Sequence, residues 1–257
     1  MTYGDKYSAA VMGDPIAGGI RSKLNSTIVA PGLHIVATPI GNLADITLRA
    51  LAVLTRADVI ACEDTRVTGK LKSTFGLSAP LLSYHDYNAA KAGGALIKRL
   101  KGGDIVALVS DAGTPLISDP GYRLVGSAID ADIAVFSVPG PTAAIAALVS
   151  AGLPTGRFFY AGFLPSRAGA RRQALTDMAT IPATLIFYES PKRLRAALAD
   201  MAQIMGKRDA AVARELTKRH EEMRRGSLED LARHYGASDT TKGEIVVVIG
   251  PPDFGPT

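Results

Sequence analysis

Residues able to hold a ligand or move a proton are concentrated just after short apolar runs of the sequence. The clearest case is the stretch from Ser110 to Gly121, which contains two carboxylates, three small hydroxyls and two glycines. Asp111 and Asp119 can accept hydrogen bonds from an amine or a ribose, and Gly113 lets the backbone approach a ligand closely. Asp119 has a second interpretation, because an Asp-Pro pair is also a favourable helix start.

Three further loops offer different chemistry. The loop after the first apolar run, Ala37–Leu43, has one glycine and no G-x-G-x-x-G pattern, which disfavours a dinucleotide site. The stiff turn Val138–Thr142 precedes a helical pattern and suits an anionic group. Cys62–Arg66 combines acids with an arginine, which suits a general base with a phosphate clamp or, equally, the acidic first turn of a helix.

Histidine and mixed-charge segments complete the candidates. His85 follows the third apolar run beside an aspartate and is a candidate general base, although a lone histidine is more often structural. The segments Tyr188–Arg193 and Arg214–Lys218 each mix acids and bases. Each predicts either a surface network of ion pairs or contacts with phosphates.

Alternating apolar runs and amphipathic stretches predict an α/β protein of two lobes. Strands without polar alternation are typical of a parallel sheet covered on both faces, and the consecutive strands near Lys218 indicate a mixed second sheet. The expected divisions are a poorly ordered extension (1–32), an N-terminal lobe (33–152), a C-terminal lobe (153–250) and a tail (251–257). The predicted strands are Leu33–Ala37, Asp58–Cys62, Leu81–Tyr84, Ile105–Ser110, Ile133–Val138, Arg157–Ala161, Ala183–Tyr188, Ala210–Arg214, His220–Arg225 and Glu244–Ile249. The predicted helices are Asp45–Leu54, Thr68–Phe75, Asn88–Lys101, Asp119–Ile129, Thr142–Ala151 (capped by Thr142 and ended by Gly152), Ala168–Thr180, Pro191–Met205 and Leu228–Tyr235 (capped by Ser227).

Composition limits the class of protein. Of 257 residues, 47% are hydrophobic and 21% charged, which is typical of a globular chain. A single cysteine excludes a disulfide framework and a multi-thiolate zinc site, no metal is expected, and a reducing, cytoplasmic compartment is favoured. The uncharged stretch Ile133–Gly156 is interrupted by Pro-Gly-Pro, so we expect no membrane span. The net charge of +5 comes mostly from the C-terminal lobe, which suits RNA or an acidic small molecule.

Six motifs together resemble the ribosomal RNA small-subunit methyltransferase I family of the tetrapyrrole methylase superfamily, over about Leu33 to Gly250. No single motif identifies the family, but the six motifs in this order along the chain are specific for it. They are Ala37–Arg49, Glu63–Arg66, Ser110–Gly121, Gly162–Pro165, Tyr188–Pro191 and Arg214–Lys218.

The resemblance implies a homodimer of two-lobed chains with S-adenosylmethionine bound in a cleft between the lobes. It further implies 2′-O-methylation of a cytidine in the decoding region of 16S ribosomal RNA, with the assembled 30S subunit as substrate. By the same resemblance, the cofactor contacts Asp111, Ala112, Gly113, Ile117, Ser118, Pro139, Gly140, Pro141, Thr142, Gly162, Phe163, Ala213, Arg214, Gly243 and Glu244.

Three positions depart from the family pattern. Lys192 stands where a histidine is expected, Ala89 where an acid is common, and Thr142 where serine is common. Lysine retains a donor at position 192 but loses a group that titrates near neutrality, so we assign no catalysis there.

For the reaction itself, we expect Glu63 or His85 as general base, Arg66 as phosphate or ribose clamp, and Lys218 as a donor near the reacting oxygen. The RNA-binding candidates lie on the basic C-terminal lobe, where few aromatic residues accompany the charges and no stacking platform is expected. They are Arg167, Arg171, Arg172, Lys192, Arg193, Arg195, Lys218 and Arg219.

Three other functions stay open at this point. A tetrapyrrole C-methyltransferase of the same superfamily has an acidic substrate that also suits a basic surface. A nicotinamide oxidoreductase is disfavoured by the missing glycine fingerprint. A non-catalytic RNA-binding protein of ribosome assembly predicts RNA binding that is indifferent to a methyl donor.

Overall fold

The computed structural model describes residues 15–237 and 241–252, which fold as two compact units. Of the described residues, unit 1 comprises 15–39 and 43–141, and unit 2 comprises 40–42, 142–237 and 241–252. Two α/β units with a parallel and a mixed sheet confirm the predicted fold class. The division falls at Thr142, earlier than the boundary expected at Gly152.

Unit 1 is a five-stranded parallel sheet in the order β3-β2-β4-β1-β5. One face is covered by α2 and α3 and the other by α4 and α5, so the central strands are apolar except at His34 of β1, which is buried. Its strands are β1 (Gly32–Val36), β2 (Val59–Cys62), β3 (Leu81–Ser83), β4 (Ile105–Val109) and β5 (Val135–Val138). Its helices are α1 (Pro15–Ser26), α2 (Leu48–Arg56), α3 (Thr65–Phe75), α4 (Ala89–Lys101) and α5 (Tyr122–Asp130), with a short 3₁₀ turn at Leu43–Asp45.

Unit 2 is a mixed sheet in the order β6-β7-β10-β8-β9, in which β6 pairs with β7 in parallel and the other neighbouring strands of the sheet pair antiparallel. One face is covered by α7, α8 and α9, and the other by α6. Its strands are β6 (Phe158–Phe163), β7 (Thr184–Glu189), β8 (Asp209–Arg214), β9 (Glu222–Ser227) and β10 (Ile245–Ile249). Its helices are α6 (Ala143–Ala151), α7 (Ala168–Met178), α8 (Pro191–Met205) and α9 (Leu228–Gly236).

Helix α6 explains the earlier division of the chain. Its sequence is apolar nearly all round, and Ala144, Ala147 and Leu148 pack on the second sheet with Val246 and Val248. Without α6, that face of the sheet would lose its apolar cover. Gly152 ends the helix in a left-handed conformation, as predicted.

Three local predictions were wrong. Residues 15–26 of the extension expected to be poorly ordered form α1, and the Arg56 guanidinium donates to its C-terminal carbonyls at Leu24 and Asn25. The helix expected from Asp119 begins at Tyr122, because Gly121 (φ 139°) takes the N-cap position. The Thr142 hydroxyl makes no capping bond in α6, since the Tyr188 hydroxyl accepts the Ala144 N–H at 3.2 Å instead.

Residues 1–14 of the expected extension and 253–257 of the expected tail lie outside the described residues. Within the described ranges, none of the helices has the length and apolar character needed to cross a membrane.

Candidate active site

Carboxylates from two neighbouring strands meet at the carboxyl edge of the unit 1 sheet. Glu63 follows β2, and Asp111 and Asp119 lie in the loop after β4. The Asp64 N–H donates to Asp111 Oδ1 at 3.1 Å, which joins the two loops directly. Burial, followed by the charges of Asp111 and Asp86, raises the pKa of Glu63. This cluster therefore contains a carboxylate made more basic by its surroundings, as a general base requires.

Asp119 was predicted as a hydrogen-bond acceptor or as a helix cap, and sequence reasoning missed only its raised pKa. Burial, with the nearby charge of Glu63, raises its pKa to about 6, while a hydrogen bond with Ser110 opposes the shift. A carboxyl group titrating near neutrality can exchange protons with its neighbours, which an exposed helix cap cannot do. The signal was present in the sequence, since Asp119 shares one loop with Asp111, but the Asp-Pro pair pointed to a cap.

Asp64 and Arg66 form the start of α3. Asp64 is the N-cap and accepts the Arg66 N–H at 2.8 Å, and it pairs with the Arg66 guanidinium at 2.6 Å. That hydrogen bonding lowers the pKa of Asp64 to about 2. Asp64 is thus a permanently ionised helix cap, and the Arg66 side chain, 89% exposed, is held at the same edge as Glu63.

His85 lies at the end of β3 in this same group. Its backbone N–H donates to Asn88 Oδ1 at 2.9 Å, and its charge lowers the pKa of Glu63. Its Nδ1 is buried and lacks a hydrogen-bond partner among the described residues. The structure therefore brings Glu63, His85 and Arg66 to one edge of unit 1.

The predicted cofactor-binding loops of unit 1 are bound to one another. The Thr38 N–H donates to the Gly113 carbonyl at 2.8 Å, with the reciprocal bond at 3.0 Å. The Thr114 hydroxyl donates to the Pro141 carbonyl at 3.0 Å. A Cβ on Gly140 would lie 3.0 Å from the Ala37 Cβ, so glycine permits this close approach. These contacts bring Ala112 and Gly113 together with the turn Pro139–Pro141.

Backbone conformations that L-residues rarely adopt occur in two predicted site loops. Leu116 (φ 74°) and Ser118 (φ 65°) lie in the Ser110–Gly121 loop, and Glu215 (φ 53°) and Thr217 (φ 64°) lie in the Arg214–Lys218 turn. Such conformations persist where the surroundings over-determine them, and they cluster at ligand sites.

In unit 2, Lys218 is enclosed by two carboxylates. Its Nζ lies 2.9 Å from Glu215 Oε1 and 3.2 Å from Glu244 Oε2. Burial alone would lower the pKa of Lys218, but these two contacts raise it above its ordinary value. Lys218 is therefore an ammonium donor at neutral pH and does not serve as a base.

Two glycines permit the packing around this lysine. A Cβ on Gly41 would lie 2.5 Å from Lys218 Cγ, and one on Gly243 would lie 2.4 Å from Glu215 Cγ. The Asn42 N–H donates to Thr217 Oγ1 at 3.1 Å, and the Glu244 N–H to Glu215 Oε1 at 2.9 Å. The motifs around Gly41 and Lys218, far apart in sequence, are thus in direct contact.

The other predicted cofactor residues of unit 2 differ in exposure. Ala213 is fully buried in the middle of the sheet, with β10 and β9 paired on either side. Arg214 pairs with Glu222 at 3.0 Å. Gly162 is buried, whereas Phe163 is 54% exposed and contacts Tyr188 edge to face. Phe163 is therefore the most accessible of these four, and Ala213 offers a ligand no surface.

Two of the predicted RNA-binding arginines are corrected by the structure. Arg171 is 6% exposed and pairs with the buried Asp200 at 2.6 Å, which ties α7 to α8. Arg193 pairs with Glu189 at 3.2 Å and donates to the Leu164 carbonyl. Both guanidinium groups are occupied inside unit 2. Lys218 is half-buried in the network described above, and the exposed candidates are Arg167, Arg172, Lys192, Arg195 and Arg219.

Among the described residues, no three His, Cys, Asp or Glu side chains are placed to hold a metal ion. Cys62 is fully buried, and burial raises the pKa of its thiol, which keeps the thiol protonated.

Known proteins resemble this chain in sequence and in fold. The family of Tetrapyrrole (Corrin/Porphyrin) Methylases matches residues 32–232. The Ribosomal RNA small subunit methyltransferase I of Mesorhizobium japonicum is 57% identical over 90% of this chain and 79% of its own length. The protein of that name from Micromonospora olivasterospora is 47% identical over 94% of this chain and 77% of its own length. The crystal structure of cobalt precorrin-4 methyltransferase matches with a TM-score of 0.65 at 20% identity, covering 85% of this chain and 94% of that one.

Proposed function

Because the chain belongs to the tetrapyrrole methylase family, we propose that it transfers the methyl group of S-adenosylmethionine to small-subunit ribosomal RNA. The observation that carries this proposal is the 57% identity, over 90% of the chain, to a relative named for that activity. The tetrapyrrole methyltransferase shares only the fold, at 20% identity, so it does not favour the C-methyltransferase alternative.

We propose further that the acceptor is the 2′-hydroxyl of a cytidine in the decoding region of 16S RNA. The assembled 30S subunit is then the substrate and a cytoplasmic homodimer the active form. A carboxylate base beside an exposed arginine supports a hydroxyl acceptor on a polyanion, because the hydroxyl must lose a proton while a nearby phosphate is held.

The residues of unit 1 fit parts of S-adenosylmethionine. Asp111 is an exposed carboxylate able to accept from ribose hydroxyls or an ammonium, and Ile117 is an apolar side chain exposed to 39% beside it in the loop. Gly113 is buried and bonded to Thr38, and Gly140 is half-buried against Ala37, so these two glycines shape the loops that would face the cofactor. We propose that these residues, with Ala112, Ser118 and the Pro139–Pro141 turn, contact the cofactor. Cofactor contact also stays a prediction for six residues of unit 2, namely Thr142, Gly162, Phe163, Arg214, Gly243 and Glu244.

Bound S-adenosylmethionine supplies a methyl group already activated by its sulfonium, so the protein has to position the acceptor and remove its proton. Glu63, with its raised pKa, would accept the proton that the ribose hydroxyl loses when it receives the methyl group. Good orientation of reacting atoms is worth about 7–11 kcal/mol, and a positioned base roughly 10²–10⁴-fold in rate. Arg66 holds a phosphate, and the protonated Lys218 donates to an oxygen.

The test is methyl transfer from labelled S-adenosylmethionine to 30S subunits, to free 16S RNA and to a uroporphyrinogen, with ribose-methylation mapping of the RNA product. We expect a single ribose methyl on subunits and a loss of roughly 10²-fold or more in the Glu63→Gln variant. Glu229→Gln, an exposed position in α9, is the matched control and should keep the parental rate. Transfer to the tetrapyrrole alone would refute the proposal, and a parental rate in Glu63→Gln would remove Glu63 as base.

A further inference from the structure

Two tyrosine side chains of unit 1 are almost fully exposed and have no role in the chemistry above. Tyr87, in the loop between β3 and α4, is 100% exposed, and Tyr122, the first residue of α5, is 82% exposed. An exposed tyrosine places a large rigid apolar ring in water, which is the kind of surface that binding partners cover. Both follow carboxyl ends of strands at the edge of the sheet that holds Glu63 and His85.

Tyr87 lies two residues before α4 and Tyr122 is the first residue of α5, and these two helices are adjacent. α4 and α5 pack on the same face of the sheet, where Leu96 and Leu124 share one apolar cluster with Tyr84. Tyr84, three residues before Tyr87, makes a hydrogen bond with the backbone of Leu124, two residues after Tyr122. Packed helices have axes about 8–10 Å apart. The two exposed rings therefore start from neighbouring points on one surface.

Exposed cations accompany both rings. Lys91 lies in the first turn of α4, and Arg123 follows Tyr122 directly in α5. The one exposed acid beside them in sequence is Asp86. Tyr87 also contacts His85 edge to face, with ring centroids 6.1 Å apart, which links the exposed ring to the candidate base region. Aromatic faces next to cations match single-stranded RNA, which offers bases for stacking and phosphates for pairing.

We propose that Tyr87 and Tyr122, here called the tyrosine pair, form an RNA-docking surface on unit 1 that stacks unpaired bases flanking the target nucleotide. This inference rests on the proposed function and adds a second contact region for the RNA, since the basic candidates from the sequence all lie in unit 2. Stacking tolerates any base, so the tyrosine pair supplies affinity and positioning, and sequence selectivity comes from elsewhere.

The experiment measures binding of a fluorescent 16S RNA fragment that contains the decoding region, together with methylation of 30S subunits. The variants are Tyr87→Ala, Tyr122→Ala and the double change, with Tyr87→Phe and Tyr122→Phe as variants that keep the ring. We expect each alanine to weaken RNA binding roughly tenfold and each phenylalanine to restore it, with the Kd for S-adenosylmethionine unchanged. Ile129→Ala, exposed at the far end of α5, is the matched control and should bind like the parent.

Light scattering on the same samples distinguishes RNA from a protein partner. Alanine variants that bind RNA like the parent overturn the proposal. So does a change of oligomeric state with unchanged RNA affinity per protomer, which would assign the tyrosine pair to a contact between copies of the chain. Failure of the proposed function is a separate result, because the parental protein would then transfer no methyl group to the RNA.

Discussion

At the scale of single residues, the acids at the edge of the first sheet differ in what they can do. Asp64 has its pKa lowered to about 2 by its hydrogen bonds with Arg66, so it stays ionised as a cap. Asp119, buried beside Glu63, has its pKa raised to about 6. One group is therefore fixed in charge and the other titrates near neutrality, although both are aspartates in strand-end loops.

The raised pKa of Asp119 predicts a pH-dependent cost to folding. The unfolded carboxyl titrates near 3.8 and the folded one at about 6, so the folded state binds the proton more tightly. The contribution of this protonated carboxyl to the free energy of unfolding is at its maximum below pH ~4, and it is lost as the pH rises through 6. We compare the free energy of unfolding of Asp119→Asn with that of the parent. After allowance for solvent screening, we expect this difference to shift in favour of the variant by about 1 kcal/mol when the pH is raised from 4 to 7.

Urea unfolding of both proteins at the two pH values measures this difference. Asp130→Asn, an exposed change at the end of α5, serves as the control and should follow the parent. Parallel pH profiles for the parent and Asp119→Asn would contradict the assignment of a raised pKa.

A second prediction at this scale concerns the Asp200 ion pairs. Asp200 is 6% exposed in its side chain and pairs with Arg171, itself buried, and with Arg172, whose side chain is 57% exposed. Asp200→Ala leaves the Arg171 charge buried without an anion, which costs about 3–5 kcal/mol in the free energy of unfolding. Arg172→Ala removes only a surface pair and costs at most about 1 kcal/mol, measured in the same urea titration. Equal losses in the two variants would refute the structural role given to Arg171.

At the scale of elements, the site depends on close packing between loops that are distant in sequence. Gly41 lies on the short segment before the 3₁₀ turn and contacts the Leu216–Lys218 turn. Its missing side chain leaves room for the aliphatic part of Lys218. Thr217 within the turn and Glu215 just before it have positive φ. The position of the Lys218 ammonium is therefore set by backbone geometry as well as by its ion pairs.

Substituting this glycine is expected to disturb the turn. Gly41→Ala places a methyl 2.5 Å from Lys218 Cγ and 3.1 Å from the Leu216 carbonyl, and we expect a loss of about 1–3 kcal/mol in stability together with reduced methyl transfer. Gly94→Ala is the matched control, because its new methyl meets nothing within 4 Å in helix α4. That control should gain up to about 1 kcal/mol from helix propensity. A neutral Gly41→Ala would show that the turn is loosely packed.

Elements with strong periodicity were predictable from the sequence, and contacts between elements were not. All ten strands were expected near their observed positions, because apolar β-branched runs such as Ile105–Val109 favour a buried strand in any parallel sheet. Helix α1 was missed because it buries none of its residues and has no strong apolar stripe. The raised pKa of Asp119 and the burial of Arg171 were not predicted, because they depend on neighbours that sequence spacing does not reveal, namely Glu63 and Asp200.

At the scale of the whole molecule, the distribution of charge determines how the protein meets a polyanion. The net charge is +5, and unit 2 keeps five exposed cations among those predicted to bind RNA, while Arg171 and Arg193 are used internally. Each cation that neutralises a phosphate releases condensed counterions, so affinity falls with salt in proportion to the number of contacts.

The salt dependence of RNA affinity therefore reports how many cations contact phosphates. If the exposed cations Arg167, Arg172, Lys192, Arg195 and Arg219 all contact phosphates of single-stranded RNA, together they contribute about −3.5 to the slope of the logarithm of affinity against the logarithm of salt. Removing one of them, as in Lys192→Ala or Arg195→Ala, should make the slope shallower by about 0.7. Lys98→Ala and Lys101→Ala remove equally exposed cations from helix α4 of unit 1 and should leave the slope unchanged. The measurement is RNA binding from 50 to 300 mM salt, and a slope that responds equally to both pairs would mean that the RNA senses net charge and does not dock on unit 2.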